Sequence, residues 1–234
     1  MPDRKTLLLF ITVVVSLCSI CYELLLAQSL CLFLRNTVLR YSVTIGLYLF
    51  AMGLGARSVE GGGLRNPRCQ LLMTEIWLTF AGGFLMLWLY GLDRLFGSGP
   101  LFAVLSHGLI LLVGYLTGKE LPILMELMKD EVPHAESKVL GFSYFGAVIG
   151  TMVFAFIYYP VTGLVMAAFI TGLLNSCAGL LTNYLDTEPD REEARRFYPL
   201  LYFQVALFIV MAIGLIFTPG IKEFCVDLYL NKGV

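Results

Sequence analysis

Long apolar stretches and short polar breaks alternate along the whole chain. From Thr6 to about Leu34 the residues are almost all apolar or small, the polar step Arg35-Asn36 follows, and the pattern then resumes. Runs of this kind recur at about 6–34, 40–57, 70–91, 101–128, 139–159, 161–185 and 198–218. Each is close to the roughly 20 residues that a helix needs to cross a bilayer. The breaks are charged or rich in Gly and Pro: Arg57 to Arg68, Gly97 to Pro100, Lys129 to Lys138 and Asp186 to Arg196. A tight turn at Tyr159-Pro160 is expected to separate the fifth run from the sixth. The pattern predicts an all-α polytopic membrane protein, a bundle of about seven transmembrane helices forming one domain over residues 1–234. The first run exceeds the roughly 7–15 apolar residues of a signal peptide, so it is expected to be a retained helix. Residues 219–234 read as an outer tail in which Ile221, Phe224, Cys225 and Leu228 share one face, the pattern of an interfacial helix.

Composition agrees with this reading. The chain is 58% hydrophobic and 14% charged, against about 25% charged for soluble domains. A net charge of −1 without a basic patch argues against a nucleic-acid partner. Lysine and arginine set an orientation. Arg4, Lys5, Arg57, Arg65, Arg68, Lys119, Lys129, Lys138, Arg191, Arg195 and Arg196 fall on one side, eleven in all, against Arg35, Arg40, Arg94, Lys222 and Lys232 on the other. The N-terminus is therefore expected in the cytoplasm and the C-terminus outside. The six cysteines lie mostly inside apolar runs. Cys18-Ser-Ile-Cys21 has redox or metal spacing but no second pair, so packing is the expected role. No metal or cofactor fingerprint appears, and neither is expected.

Charge inside the apolar runs is the informative exception, because an ionisable side chain at mid-bilayer costs at least about 2.5–3.5 kcal/mol. Glu23 falls on a helical stripe with Thr12, Ser16, Ser19 and Ala27, opposite a face of Leu and Val. That stripe is expected to face other helices. Glu75 shares a face with Thr79 and Gly82 early in the third run, with Arg68 as a competing partner at the same end. Glu120 stands in Gly118-Lys-Glu-Leu-Pro122, where Pro122 cannot donate to the carbonyl of Gly118 and should open or kink the helix. A freed carbonyl beside a carboxylate suits a cation or a proton. Either role competes with structural hydrogen bonding between helices. Gly114-x-x-x-Gly118 and Gly146-x-x-x-Gly150 read as packing motifs, and His107 as a packed, hydrogen-bonded histidine. The Asp186 to Arg196 connection reads as a short charged helix, with Arg191, Arg195 and Arg196 as candidates for docking a partner.

Tyr22-Glu23-Leu-Leu-Leu, Tyr41-Ser-Val-Thr-Ile-Gly46, Phe50-Ala-Met-Gly-Leu-Gly55, Gly118-Lys-Glu-Leu-Pro122, Tyr144-Phe-Gly-Ala-Val-Ile-Gly150 and Leu174-Asn175 follow one another in order. Together they resemble the membrane domain of bacterial membrane-bound spermidine synthase-like (polyamine aminopropyltransferase-like) proteins. The resemblance implies a bacterial inner membrane and adds Asn175 to Glu23, Glu75 and Glu120 as a ligand candidate. In that family a cytoplasmic aminopropyltransferase domain usually follows the helices, and its Gly-rich nucleoside loop and catalytic aspartates are not found in this sequence. Ser143 also stands where the family commonly has an aspartate. The resemblance thus implies a non-enzymatic membrane subunit that anchors or partners other proteins in the bilayer, as a hetero- or homo-oligomer. A separately encoded aminopropyltransferase-like enzyme is the natural partner. The alternative is a small transporter or polyamine- or lipid-binding protein whose glutamates hold a small cationic ligand.

Overall fold

The computed structural model describes residues 3–60, 66–185 and 191–230, and among them every regular element is helical. The helices are α1 (Arg4–Leu34), α2 (Thr37–Glu60), α3 (Pro67–Gly83), α4 (Leu85–Phe96), α5 (Pro100–Met128), α6 (Ala135–Val153), α7 (Gly163–Leu181), α8 (Arg191–Ile216) and α9 (Thr218–Leu230). Among the described residues, five helical stretches are long and apolar enough to cross a membrane, or six if the bent pair α3–α4 is one span. One of the five is the unbroken run Ala135–Tyr184, 50 residues long.

That run folds back on itself. Cys21 donates to the carbonyl of Gly150 while Cys18, one turn earlier, donates to the carbonyl of Thr171. A straight helix would separate residues 150 and 171 by about 30 Å. The reversal falls at Gly163, whose φ of +76° suits glycine, and not at Tyr159-Pro160 as the sequence suggested. Pro160 is instead carried inside a π-helical extension, Phe154–Thr162. The wider turn relieves the clash of the proline ring with the preceding turn.

Close contacts fix the relative directions of the helices. Gly146 and Gly150 meet Val13 and Leu17, so α6 runs parallel to α1. Gly114 meets Tyr48 and Ala51, and Gly118 meets Met52, so α2 and α5 also run parallel. A Cβ on Gly118 would lie 2.1 Å from the Met52 carbonyl oxygen, so the two backbones touch. Glycine is what permits such an approach between helices in lipid.

Two expected elements take a different form. The third run is not straight: α3 and α4 bend by 51° at Phe84. The break follows Gly82-Gly83, where Tyr22 presses on Gly82, and Met211 and Gly172 press on Gly83. Two adjacent glycines are the weakest point of the helix. The charged segment is not a separate short helix either. From Arg191 onward it forms the first turns of α8, with Glu192 and Glu193 at the positive end of the helix dipole. Residues 61–65, 186–190 and 231–234 lie outside the described residues, and with them Arg65, Asp186, Glu188, Asp190 and Lys232.

The exterior is apolar. Phe10, Phe50, Trp77, Val104, Val148, Phe156 and Ile209 are all exposed. In water so broad an apolar surface would drive association; in lipid it matches the solvent. At the chain's far end, α9 tucks Ile221 toward the core and leaves Phe224 exposed.

Candidate functional site

Glu75 lies eight residues into α3, and Glu120 lies eight residues before the last residue of α5. Each carboxylate is therefore about 12 Å from its helix end. These two ends share one side of the bundle, so the residues meet at one level. Glu75 is fully buried and Glu120 is 2% exposed. Their carboxyl groups face each other at hydrogen-bonding range. Both are acceptors when ionised. The Asn175 amide adjoins the Glu75 carboxyl group, but among the described residues no well-formed hydrogen bond reaches either oxygen of Glu75 or Oε1 of Glu120. Two carboxyl groups so placed either share a proton, so that one is neutral, or hold a cation between them.

Other helices close a polar core around the pair. Asn175 of α7 donates to the Glu75 carbonyl at 3.1 Å and to Thr79 Oγ1 at 3.3 Å. Gln204 of α8 donates to Ser176 Oγ at 3.0 Å, to the Ser176 carbonyl at 3.2 Å and to Thr79 Oγ1 at 3.4 Å. Gly179 is flanked by both the Gln204 amide and Glu75 Cβ. These amides spend their N–H groups on the protein, while Asn175 Oδ1 and Gln204 Oε1 have no partner. The buried hydroxyl of Tyr22 is unpartnered as well. The core thus leaves several oxygen acceptors unpaired, beside one hydroxyl that could donate. Among the described residues, the ion pairs are Arg4–Glu131 and Lys129–Glu126, both away from it.

The sequence-level candidates divide accordingly. Glu75, Glu120 and Asn175 come together. Glu23 is buried at 8% exposure and its stripe faces protein: Ser16 bonds Ser143 at 2.9 Å, and the Tyr48 hydroxyl donates to the Ser19 carbonyl at 3.0 Å. Among the described residues no hydrogen bond or ion pair joins Glu23 to the pair. Arg68 does not serve Glu75. It bonds the carbonyls of Thr182 and Asn183 and covers the Phe197 ring at 3.8 Å. Ser143 is used in the α1–α6 seam. His107 bonds the Ala103 carbonyl of its own helix, and Cys18 and Cys21 bond carbonyls as packing residues do. Arg195 and Arg196 are exposed on the first turns of α8, and the Arg191 side chain lies outside the described residues.

Sequence reasoning missed Gln204, Ser176 and the buried Asp93, which accepts from Ser98 at 2.7 Å. Gln204 was open to detection as the one amide between Phe203 and Val205 in an apolar run.

The fold and site define a polytopic helical bundle of membrane type, carrying a buried carboxyl pair among unpaired amide oxygens. Comparison with known proteins shows what it is similar to. The chain is 30% identical over 207 residues to the polyamine aminopropyltransferase of Oceanobacillus iheyensis, covering 87% of this chain and 39% of that protein. It is 32% identical over 176 residues to the polyamine aminopropyltransferase of Leptospira interrogans, covering 73% and 34%. It is 31% identical over 188 residues to polyamine aminopropyltransferase 2 of Ralstonia nicotianae, covering 78% and 36%. The resemblance seen in the motifs is thereby shown, and the chain spans less than two-fifths of the length of these curated relatives. No family model and no solved structure matches it.

Proposed function

We propose that this chain is a non-enzymatic integral membrane subunit of the bacterial inner membrane that anchors or partners an aminopropyltransferase-like catalytic unit. The observation that carries the reading is the correspondence itself: this helical bundle aligns over 87% of its length with a protein named for aminopropyl transfer, so a membrane role beside that chemistry is what it supports. Docking would use the end where Arg195 and Arg196 are exposed. The same end carries a cleft of about 760 Å³ whose polar lining includes Glu126, Lys129, His134 and Glu136. Charge at such a surface steers and selects partners more than it adds affinity. The test is co-purification in mild detergent. Arg195→Glu with Arg196→Glu is expected to release an aminopropyltransferase-like partner while the bundle stays folded. Retention of that partner by the double variant, at every salt concentration, would remove the docking surface from the proposal.

The topology belongs to the same proposal: seven crossings, N-terminus in the cytoplasm. The parallel pairs α1–α6 and α2–α5 support it, as does the hairpin at Gly163, because a chain crossing seven times produces these directions. Single cysteines at Ser137 and Lys222 in a cysteine-free background are expected to label from opposite sides. Labelling from one side overturns the count.

A second reading is favoured by one observation, the Glu75–Glu120 pair. In it the bundle binds a small cationic ligand such as a polyamine, and Glu120→Gln abolishes binding while the Arg195/Arg196 variant does not.

A further inference from the structure

Four helices contribute buried polar side chains to one region of the core. Glu75 comes from α3, Glu120 from α5, Asn175 from α7 and Gln204 from α8, and all four residues are buried. Among the described residues, both Glu75 oxygens, Glu120 Oε1, Asn175 Oδ1 and Gln204 Oε1 receive no well-formed hydrogen bond. A structural network would pair these atoms, because each unsatisfied buried polar group costs about 1–3 kcal/mol. The amide N–H groups bond Thr79, Ser176 and the Glu75 backbone carbonyl, and the Asn175 amide adjoins the Glu75 carboxyl group as well. That arrangement fixes the amides and leaves their oxygens free.

We propose that the Glu75–Glu120 pair is a binding site for one small monovalent cation, a proton or a sodium ion, held between the two carboxyl groups with the Asn175 and Gln204 amides beside them. Oxygen donors without sulfur or imidazole suit a hard cation. One positive charge is the least that lets two facing carboxyl groups share a water-free core. The other ionisable groups facing the pair are Cys18 and Tyr22 of α1, Tyr48 of α2 and, beyond Cys18, Cys177 of α7. These are weak acids that stay neutral at physiological pH when unperturbed, and the facing residue of α8 is the neutral Gln204. The pair therefore carries the charge of this core. The inference deepens the second reading given above but survives without it: failure of polyamine binding removes that reading and leaves the inorganic cation site standing.

The experiment uses the full chain in lipid nanodiscs, with two readouts that need no activity. Infrared spectroscopy looks for the carbonyl stretch of a protonated carboxylic acid, shifted in D₂O. Thermal unfolding compares NaCl with choline chloride at equal ionic strength. If a proton occupies the site, the acid band is present in sodium-free buffer at neutral pH and is lost in Glu75→Gln or Glu120→Gln. If sodium occupies it, the unfolding temperature rises saturably with sodium and not with choline, and either variant loses the rise. Absence of both signals in the wild-type chain overturns the proposal, as does persistence of either signal in the Glu75→Gln/Glu120→Gln double variant. Should that double variant not fold, Glu23→Gln and Asp93→Asn remove the other buried carboxyl groups. A signal surviving both supports the pair, and a signal lost with either overturns it.

Discussion

Helix α5 has two working faces, and they are built on opposite principles. Gly114 and Gly118 lie against α2 with backbone on backbone, so closely that even a methyl group would collide with the Met52 carbonyl. Glu120, a short way along the same helix, lies against Glu75 of α3 in a place where several oxygen acceptors are left unpaired. The first face is dry and tightly packed, and the second is polar and incompletely paired. A helix held so firmly on one side can keep a costly arrangement on the other, which is how strained or unsatisfied groups persist in folded proteins.

The largest expected effect tests the dry face. Gly118→Val places branched carbon where a backbone oxygen already stands and is expected to destabilise the bundle by about 3 kcal/mol or more. Gly108 of the same helix has nothing within 4 Å of its Cβ direction. Gly108→Ala is expected to be neutral or to stabilise by up to about 1 kcal/mol, the propensity difference inside a helix. Equilibrium unfolding in mixed detergent measures both. Equal effects at the two glycines would mean that the α2–α5 contact is not what holds α5.

A smaller effect of opposite sign tests the polar face. Replacing a buried ionic cluster by well-packed apolar residues is often neutral or stabilising by about 1–4 kcal/mol. Glu75→Met with Glu120→Met is therefore expected to raise stability while removing the infrared and sodium signals. A clear loss of stability would show that the pair holds α3 to α5 as ordinary structural bonding.

What the sequence disclosed follows the same division. Packing leaves a local trace: Gly114-x-x-x-Gly118 and Gly146-x-x-x-Gly150 announce their faces, and the fourth run, placed at 101–128, became α5 at Pro100–Met128 almost unchanged. The stripe from Thr12 to Ala27 was legible because it obeys helical periodicity within one element. The Glu75–Glu120 meeting was not legible, since it depends on which helices become neighbours, and Glu23 was an equally good candidate by depth and chemistry. The elbow at Phe84 was hidden for a related reason. Gly82-Gly83 permits a bend, but Tyr22, Gly172 and Met211, all distant in sequence, are the residues that press on it. Likewise, the charged turns of Arg191–Arg196 looked separable from the apolar run because charge and hydropathy change abruptly between them. The helix nevertheless runs on from the charged turns into the apolar run, with Pro199 inside it.

The smallest expected effect separates two glutamates that the sequence could not rank. Glu23 and Glu120 are both buried in apolar helices, yet the neighbours of Glu23 are already served: Ser19 by Tyr48, and Ser16 by Ser143. Its carboxyl group faces no second carboxyl group, so no charge is shared there. Glu23→Gln keeps the shape and a hydrogen-bonding end, and is expected to change stability by no more than about 0.5 kcal/mol. Both the infrared and the sodium signals should be unchanged. Glu120→Gln, identical in chemistry and similar in burial, is expected to abolish whichever signal the wild-type chain shows. If the two substitutions behave alike, position within the bundle does not distinguish these glutamates. The contrast between the faces of α5 would then lose its functional meaning, although the packing of Gly118 against Met52 would stand.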